Sequence, residues 1–117
     1  MDKPFNTKLV YEFQDGTSCE MTLAFHALYM LRSKDKSIYK RYNATMNAMA
    51  EKNYVYDELD VITILYTAYL CANLNDFDNV MSEEDFIIKC GNDRDSIGKA
   101  MTELTTAKKT KASANPS

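Results

Sequence analysis

The sequence predicts a mainly α (α+β) fold, an N-terminal β-hairpin packed on a bundle of about five helices. Three observations carry that expectation. Between Val61 and Ala72 only Thr63 and Thr67 interrupt an apolar or aromatic run, and its spacing is helical. Ahead of it, Leu9, Tyr11 and Phe13 alternate against Lys8, Val10 and Glu12, a strand period that ends at Gln14-Asp15-Gly16. Two Pro and three Gly in 117 residues leave few helix breakers.

Taken in order, residues 1–7 read as an irregular lead-in, followed by strands over about 8–13 and 17–21. A three-residue loop with Gly16 in the left-handed position is a common hairpin connection. That setting pairs Phe13 with Thr17, Tyr11 with Cys19 and Leu9 with Met21, so the bulky apolar residues share one face. Val10, Glu12, Ser18 and Glu20 take the other. A lone hairpin is marginal in water, so its apolar face is expected to lie on the helices. Its edge also offers a place where another chain could pair, and a homo-oligomer stays open.

The first helix is expected from a Thr22 cap to about Arg32, with Leu23, Ala24, Ala27, Leu28 and Leu31 inward and Phe25 and Met30 flanking them. The second is capped by Asp35, runs to about Ala50, and faces inward with Ile38, Tyr42, Thr45 or Met46, and Met49. Glu51–Tyr56 connects it to the central helix. Tyr54, Val55 and Tyr56 either pin that connection to the core or form an exposed aromatic contact patch.

The central helix, Asp57 to Leu74, begins with Asp57 as a cap, and Glu58 and Asp60 suit its positive end. Leu59, Ile62, Leu65, Tyr66 and Tyr69 form one face, and Val61, Ile64, Ala68 and Cys71 fill the next, as suits a helix packed on several sides. The run falls short of the roughly 18 apolar residues of a membrane span. Asn73–Asn79 reads as a loop. Asn73, Asn75 and Asp76 are oxygen donors there, but the spacing and terminal Glu of a calcium loop are missing. Ser82 caps a fourth helix with Phe86 and Ile87 inward and Gly91 past its end. Asp93 caps a fifth, with Ile97, Ala100, Met101 and Leu104 on one side. The expected organisation is one domain over 1–104 and a disordered basic tail over 105–117.

The net charge is −3, and the tail holds Lys108, Lys109 and Lys111 without an acid, which leaves −6 for the rest. So acidic a body is a poor footprint for sequence-independent DNA binding, which rests on cations facing phosphate. Cys19, Cys71 and Cys90 are odd in number, far apart and without a CxxC, which fits a reduced compartment such as the cytosol. The N-terminal residues lack a signal-peptide pattern.

His26 is the only histidine and has no Cys or acid at ligand spacing, so neither a metal site nor a nucleophile–histidine pair is legible. No phosphate-binding glycine loop, HExxH or GxSxG occurs. The carboxylates cluster at helix starts, where capping explains them. These features point to a non-catalytic interaction protein without a cofactor, rather than an enzyme.

Four blocks in this order add a resemblance. They are LAFHALYMLRSKDKSIYKRYN at 23–43, DELDVITILYTAYLCANL at 57–74, VMSEEDFIIKC at 80–90 and NDRDSIGKAMTEL at 92–104. Over roughly Leu23 to Leu104 the chain resembles the tail assembly chaperones of long, non-contractile-tailed phages and prophages of low-GC Gram-positive bacteria. The resemblance implies a protein of the bacterial host cytoplasm that binds and solubilises the tape measure protein, helps recruit tail tube protein, and is absent from the mature virion. The charge balance and the short apolar run give no expectation of a nucleic-acid or membrane partner. Met46, Met49, Tyr54 and Tyr56 are the residues expected to form a tolerant, adaptable contact surface. The family often makes a longer product by programmed frameshift, and Lys108-Lys109 marks where an A-rich slippery run could lie. Two other classes remain open: a structural head–tail connector or other virion component, and a small DNA-binding regulator.

Overall fold

A computed structural model describes residues 8–55 and 57–114, with side chains described as far as Thr105. Among these residues the order is β1 (Leu9–Glu12), β2 (Ser18–Met21), α1 (Phe25–Lys34), α2 (Lys36–Met49), α3 (Glu58–Ala72), a short 3₁₀ segment (Leu74–Asn79), α4 (Glu83–Cys90) and α5 (Arg94–Ala114). The architecture is the expected one: mainly helical, with an N-terminal hairpin laid on the helices.

The hairpin has the register that its side-chain pattern predicts. Leu9 pairs with Met21, Val10 with Glu20, Tyr11 with Cys19 and Glu12 with Ser18. The Phe13 N–H donates to the Thr17 carbonyl at 2.7 Å, and the Gly16 N–H donates to the Phe13 carbonyl at 3.0 Å. Gly16 has φ +89°, a conformation cheap only for glycine. Tyr11, Phe13 and Met21 are buried against the helices, whereas Val10 on the opposite face is 64% exposed.

α3 is the axis of the molecule. Every residue from Val61 to Cys71 is buried. Its two interruptions cost little, because the Thr67 hydroxyl donates to the Thr63 carbonyl at 2.8 Å and the Thr63 hydroxyl to the Leu59 carbonyl at 3.1 Å. Asp57 caps the helix, its Oδ1 accepting from the Leu59 N–H at 2.9 Å. Leu59 itself is exposed, because α3 enters the core only after its first turn.

A cluster of rings joins α3 to α4 and the hairpin. Phe86 is fully buried, its ring centroid 5.3 Å from Tyr66, 5.5 Å from Tyr69 and 5.8 Å from Phe13. Both tyrosine hydroxyls are used on one residue of the linker into α4. Tyr66 donates to the Met81 carbonyl at 2.9 Å, and the Met81 N–H donates to Tyr69 Oη at 2.8 Å. Lys89 of α4 reaches the hairpin turn, with Nζ 2.6 Å from Thr17 Oγ1, 3.2 Å from Asp15 Oδ2 and 5.0 Å from the Phe13 ring centroid. Arg41 of α2 holds Glu83 of α4 through two bonds of 2.8 and 2.7 Å.

Three boundaries differ from expectation. Thr22 does not cap α1; the N-cap position is Ala24, without a side-chain cap. Residues 22–24 instead form a buried crossing from sheet to helix, where the Thr22 N–H donates to the Ala68 carbonyl of α3 and its hydroxyl accepts from Ala24. The expected loop at 73–79 is instead a 3₁₀ segment, Leu74–Asn79, with Asn73 at its N-cap position and a kink at Asp76. Its side chains close short-range bonds, Asn73 to the Tyr69 carbonyl and Asn79 to Asp76 Oδ1. Finally, α5 continues to Ala114, past the expected end at Leu104, because no Gly or Pro interrupts residues 99–114. Met1–Thr7, and Asn115–Ser117 at the far end of the expected tail, lie outside the described residues.

Candidate interaction surface

α1 and α2 are joined by Asp35 alone, whose Oδ1 accepts from the Ile38 N–H at 3.2 Å and starts the second helix. The tight corner folds the two helices onto each other. Leu28 and Leu31 of α1 and Ile38 and Tyr42 of α2 turn into the core. That leaves a second stripe on each helix. On α1 it is Phe25, Tyr29 and Arg32, and on α2 Tyr39, Asn43 and Met46, each at steps of four and then three residues. Between the stripes lies a groove of about 330 Å³, floored by Leu28 and Tyr42.

The walls are aromatic and substantially exposed. Phe25 is 59% and Tyr29 58% exposed, and Met30 adds further apolar surface beside them. The Arg32 guanidinium lies 5.6 Å from the Tyr29 ring centroid and 5.8 Å from that of Tyr39, spanning one end of the groove. His26 stacks on Tyr29 at 6.4 Å, a surface position without metal-ligating neighbours.

The end of the rim at Arg32 is basic, on a chain of net charge −3. Residues 32–41 carry Arg32, Lys34, Lys36, Lys40 and Arg41 against Asp35 alone. Arg41 is engaged by Glu83, whose carboxyl is held below its ordinary range chiefly by that hydrogen bond. Lys34 Nζ sits 5.6 Å from the Phe77 ring centroid. Lys36 and Lys40 line a smaller apolar recess with Arg32 and Tyr39.

The four residues expected to form the contact surface separate. Met46 lies in the groove wall, half-buried. Met49, one turn further along α2, is half-buried against the core. Tyr54 ties the connection to α3, its hydroxyl donating to Asp60 Oδ2 at 3.2 Å and accepting from the Asp57 N–H at 3.3 Å. Tyr56 lies outside the described residues, and so do the side chains of Lys108 and Lys109, whose backbone is in α5. The residues that dominate the groove, Phe25 and Tyr29, were legible only as a surplus. They stand four apart on α1, off the Leu28/Leu31 stripe, so one inward face could not bury them all.

Among the described residues no group of three or more His, Cys, Asp or Glu is placed to hold a metal ion. The Asn73, Asn75 and Asp76 donors belong to the 3₁₀ segment and its immediate cap. No helix among them is long and apolar enough to cross a membrane. The buried thiol of Cys90 is pushed up to about 11 by burial, and that of Cys19 to about 12 by burial and then by Cys90, which makes both weak nucleophiles near neutrality. No protein-family model matches the chain, no curated protein matches it, and no solved structure matches it.

Proposed function

We propose that this protein is a phage tail assembly chaperone, a non-catalytic partner that binds and solubilises the tape measure protein in the bacterial host cytoplasm and helps recruit tail tube protein. The observation that supports this reading most is the exposed aromatic groove between α1 and α2. A tape measure protein is a long helical chain whose apolar stripes would self-associate if uncovered. A groove walled by Phe25, Tyr29, Tyr39 and Met46 offers such a stripe the helix-in-groove contact that buries it. Its basic rim favours a segment flanked by acidic side chains. Release on completion of the tail, and absence from the virion, agree with a polar-rimmed groove of modest size. If the gene continues by frameshift at Lys108-Lys109, the extension of α5 would lead into the added domain.

The test is co-expression with the tape measure protein of the same gene cluster, scored by solubility and pull-down, with the Phe25→Ser/Tyr29→Ser double variant in parallel. Both residues are exposed, so the variant is expected to fold as the parent does. The reading requires that the parent keep the tape measure soluble in a complex and that the variant lose it. Absence of a complex with the parent overturns it. The basic rim is the feature of the described surface that would favour a nucleic-acid partner instead. A low-salt gel shift that survives the loss of Phe25 and Tyr29 would support that reading. Detection of the protein in purified particles would favour a virion component such as a head–tail connector.

A further inference from the structure

We propose that two copies of this chain associate through the free edge of β1, in antiparallel register about a twofold axis at Val10, so that the two hairpins become one four-stranded sheet. Among the described residues the sheet holds two strands, and β1 pairs only with β2. The bond from the Phe13 N–H to the Thr17 carbonyl marks the parity of the ladder. In an antiparallel pair hydrogen-bonded and non-bonded positions alternate, so Leu9, Tyr11 and Phe13 spend their backbone groups on β2. Lys8, Val10 and Glu12 therefore direct their N–H and C=O groups away from β2. Leu9 to Phe13 form one wall of an open groove of about 460 Å³, and the other wall is Asp93, the cap of α5, with Ser96, Lys99, Ala100 and Glu103 of α5. α5 thus runs beside β1, and a strand paired along this edge would lie about 4.8 Å from it.

The side chains along this edge are complementary to themselves. Lys8, Val10 and Glu12 lie on the solvent face, and all three are exposed. Only registers that bring two outward-directed residues opposite each other complete the ladder. Among these, the one centred on Val10 sets Val10 against the partner's Val10, Lys8 against the partner's Glu12 and Glu12 against the partner's Lys8. A shift of two residues along one strand in either direction, which moves the twofold axis off Val10, sets a charge against Val10. A shift of four sets like charge against like, which is destabilising across strands. Lys8 has one weak tie within the chain, Glu20 at 3.7 Å, with both side chains more than half exposed. In the paired sheet Lys8 would sit between Glu20 and the partner's Glu12 without giving up that contact. Both hairpins keep their apolar faces on their own helices, so association requires no unfolding. It also removes an unprotected edge, which otherwise invites pairing with unrelated chains. With one short strand from each copy, the association is expected to be reversible and concentration-dependent.

The decisive experiment is sedimentation velocity of the full chain from about 5 to 500 µM, a range that brackets micromolar to sub-millimolar affinities. Three variants run alongside, each checked by circular dichroism. Glu12→Lys places Lys opposite Lys twice per dimer and is expected to weaken association about tenfold or more, given two exposed pairs changed from attraction to repulsion. Lys8→Glu combined with Glu12→Lys restores opposite charge in the same register and is expected to return the dissociation constant to within about threefold of the parent. Val10→Pro removes an outward N–H and no bond to β2, so it is expected to abolish the dimer while the hairpin survives. If that variant does not fold, the charge pair decides alone. A parent that stays monomeric throughout the range overturns the proposal. So does a dimer indifferent to Glu12→Lys, which would form through another surface, or a double variant no better than the single one.

Discussion

Replacing Phe86 by Ala tests the account of the core at its most loaded point. Phe86 is fully buried, and three rings lie within 5.3–5.8 Å of its centroid, contributed by α3 and the hairpin. Truncation removes the transfer energy of the ring and opens a cavity that Tyr66 and Tyr69 resist filling, because both hydroxyls are held at Met81. Burial of this kind is worth about 3–5 kcal/mol for Phe→Ala. That is about a fifth to all of the roughly 5–15 kcal/mol stability of an ordinary small domain. With a urea m-value of about 2 kcal/mol/M, the midpoint should fall by about 2 M. Phe86→Leu keeps most of the volume and should cost under about 1.5 kcal/mol. Urea titration followed by far-UV circular dichroism measures both. A loss below about 1.5 kcal/mol for the Ala variant, or equal losses for Ala and Leu, would refute the idea that this ring couples α4 to α3 and the hairpin.

Other perturbations probe separate parts of the structure. Asp15 is held down to about 2, first by hydrogen bonds from the Thr17 hydroxyl and N–H and then by Lys89. Since its folded pKa is depressed below the ordinary 3.8, its contribution is present above about pH 4 and is lost as pH falls through about 2. A carboxyl NMR titration should show Thr17→Ala raising that pKa more than Lys89→Ala does; the reverse order would contradict the assignment of causes. Gly91 ends α4 at φ +61° and ψ −144°, so Gly91→Ala should cost about 1–3 kcal/mol. A Cβ there would also meet Gln14 Oε1 at 2.5 Å, but that flexible side chain can swing away, so pairing the variant with Gln14→Ala should recover little. Gly98, within α5 and with open space around it, should respond oppositely, with Gly98→Ala gaining about 0.4–1 kcal/mol by thermal or urea unfolding. Cys90, 1% exposed and shifted to about 11, should resist alkylation at pH 8 until denaturant unfolds the chain. Rapid labelling of the native protein, read by mass spectrometry, would place that thiol outside the core.

The local devices were readable because their chemistry is local. A strand period, a turn glycine and mirrored apolar residues specify the hairpin register without reference to anything else. An Asp or Ser one residue ahead of a helical pattern caps it, as Asp35, Asp57, Ser82 and Asp93 do. The apolar run of α3, broken only by Thr63 and Thr67, announced burial on several sides, and the structure buries Val61 to Cys71 throughout. Of the misplaced boundaries, the start of α1 has its competing partner far away in the chain. Thr22 has the chemistry of a cap, but its N–H is held by the Ala68 carbonyl across the domain, and α1 starts two residues later than a Thr22 cap would set it.

The candidate surface could not be read in the same way, since exposure is what remains after every face has chosen a neighbour. Met46, Met49 and Tyr54 look equivalent in the sequence; contact with the groove, the core and Asp60 sorts them into different roles. Phe25 and Tyr29 became the prominent residues only when Leu28 and Leu31 took the inward positions of α1. The sequence by itself determined most of the elements, the Asp and Ser caps and the hairpin register, because those depend on residues within a few positions of one another. Tertiary structure alone decided which aromatic rings are core and which are surface, and which edge of the sheet stays open. Those outcomes depend on long-range packing, where each buried face is bought by leaving another face bare.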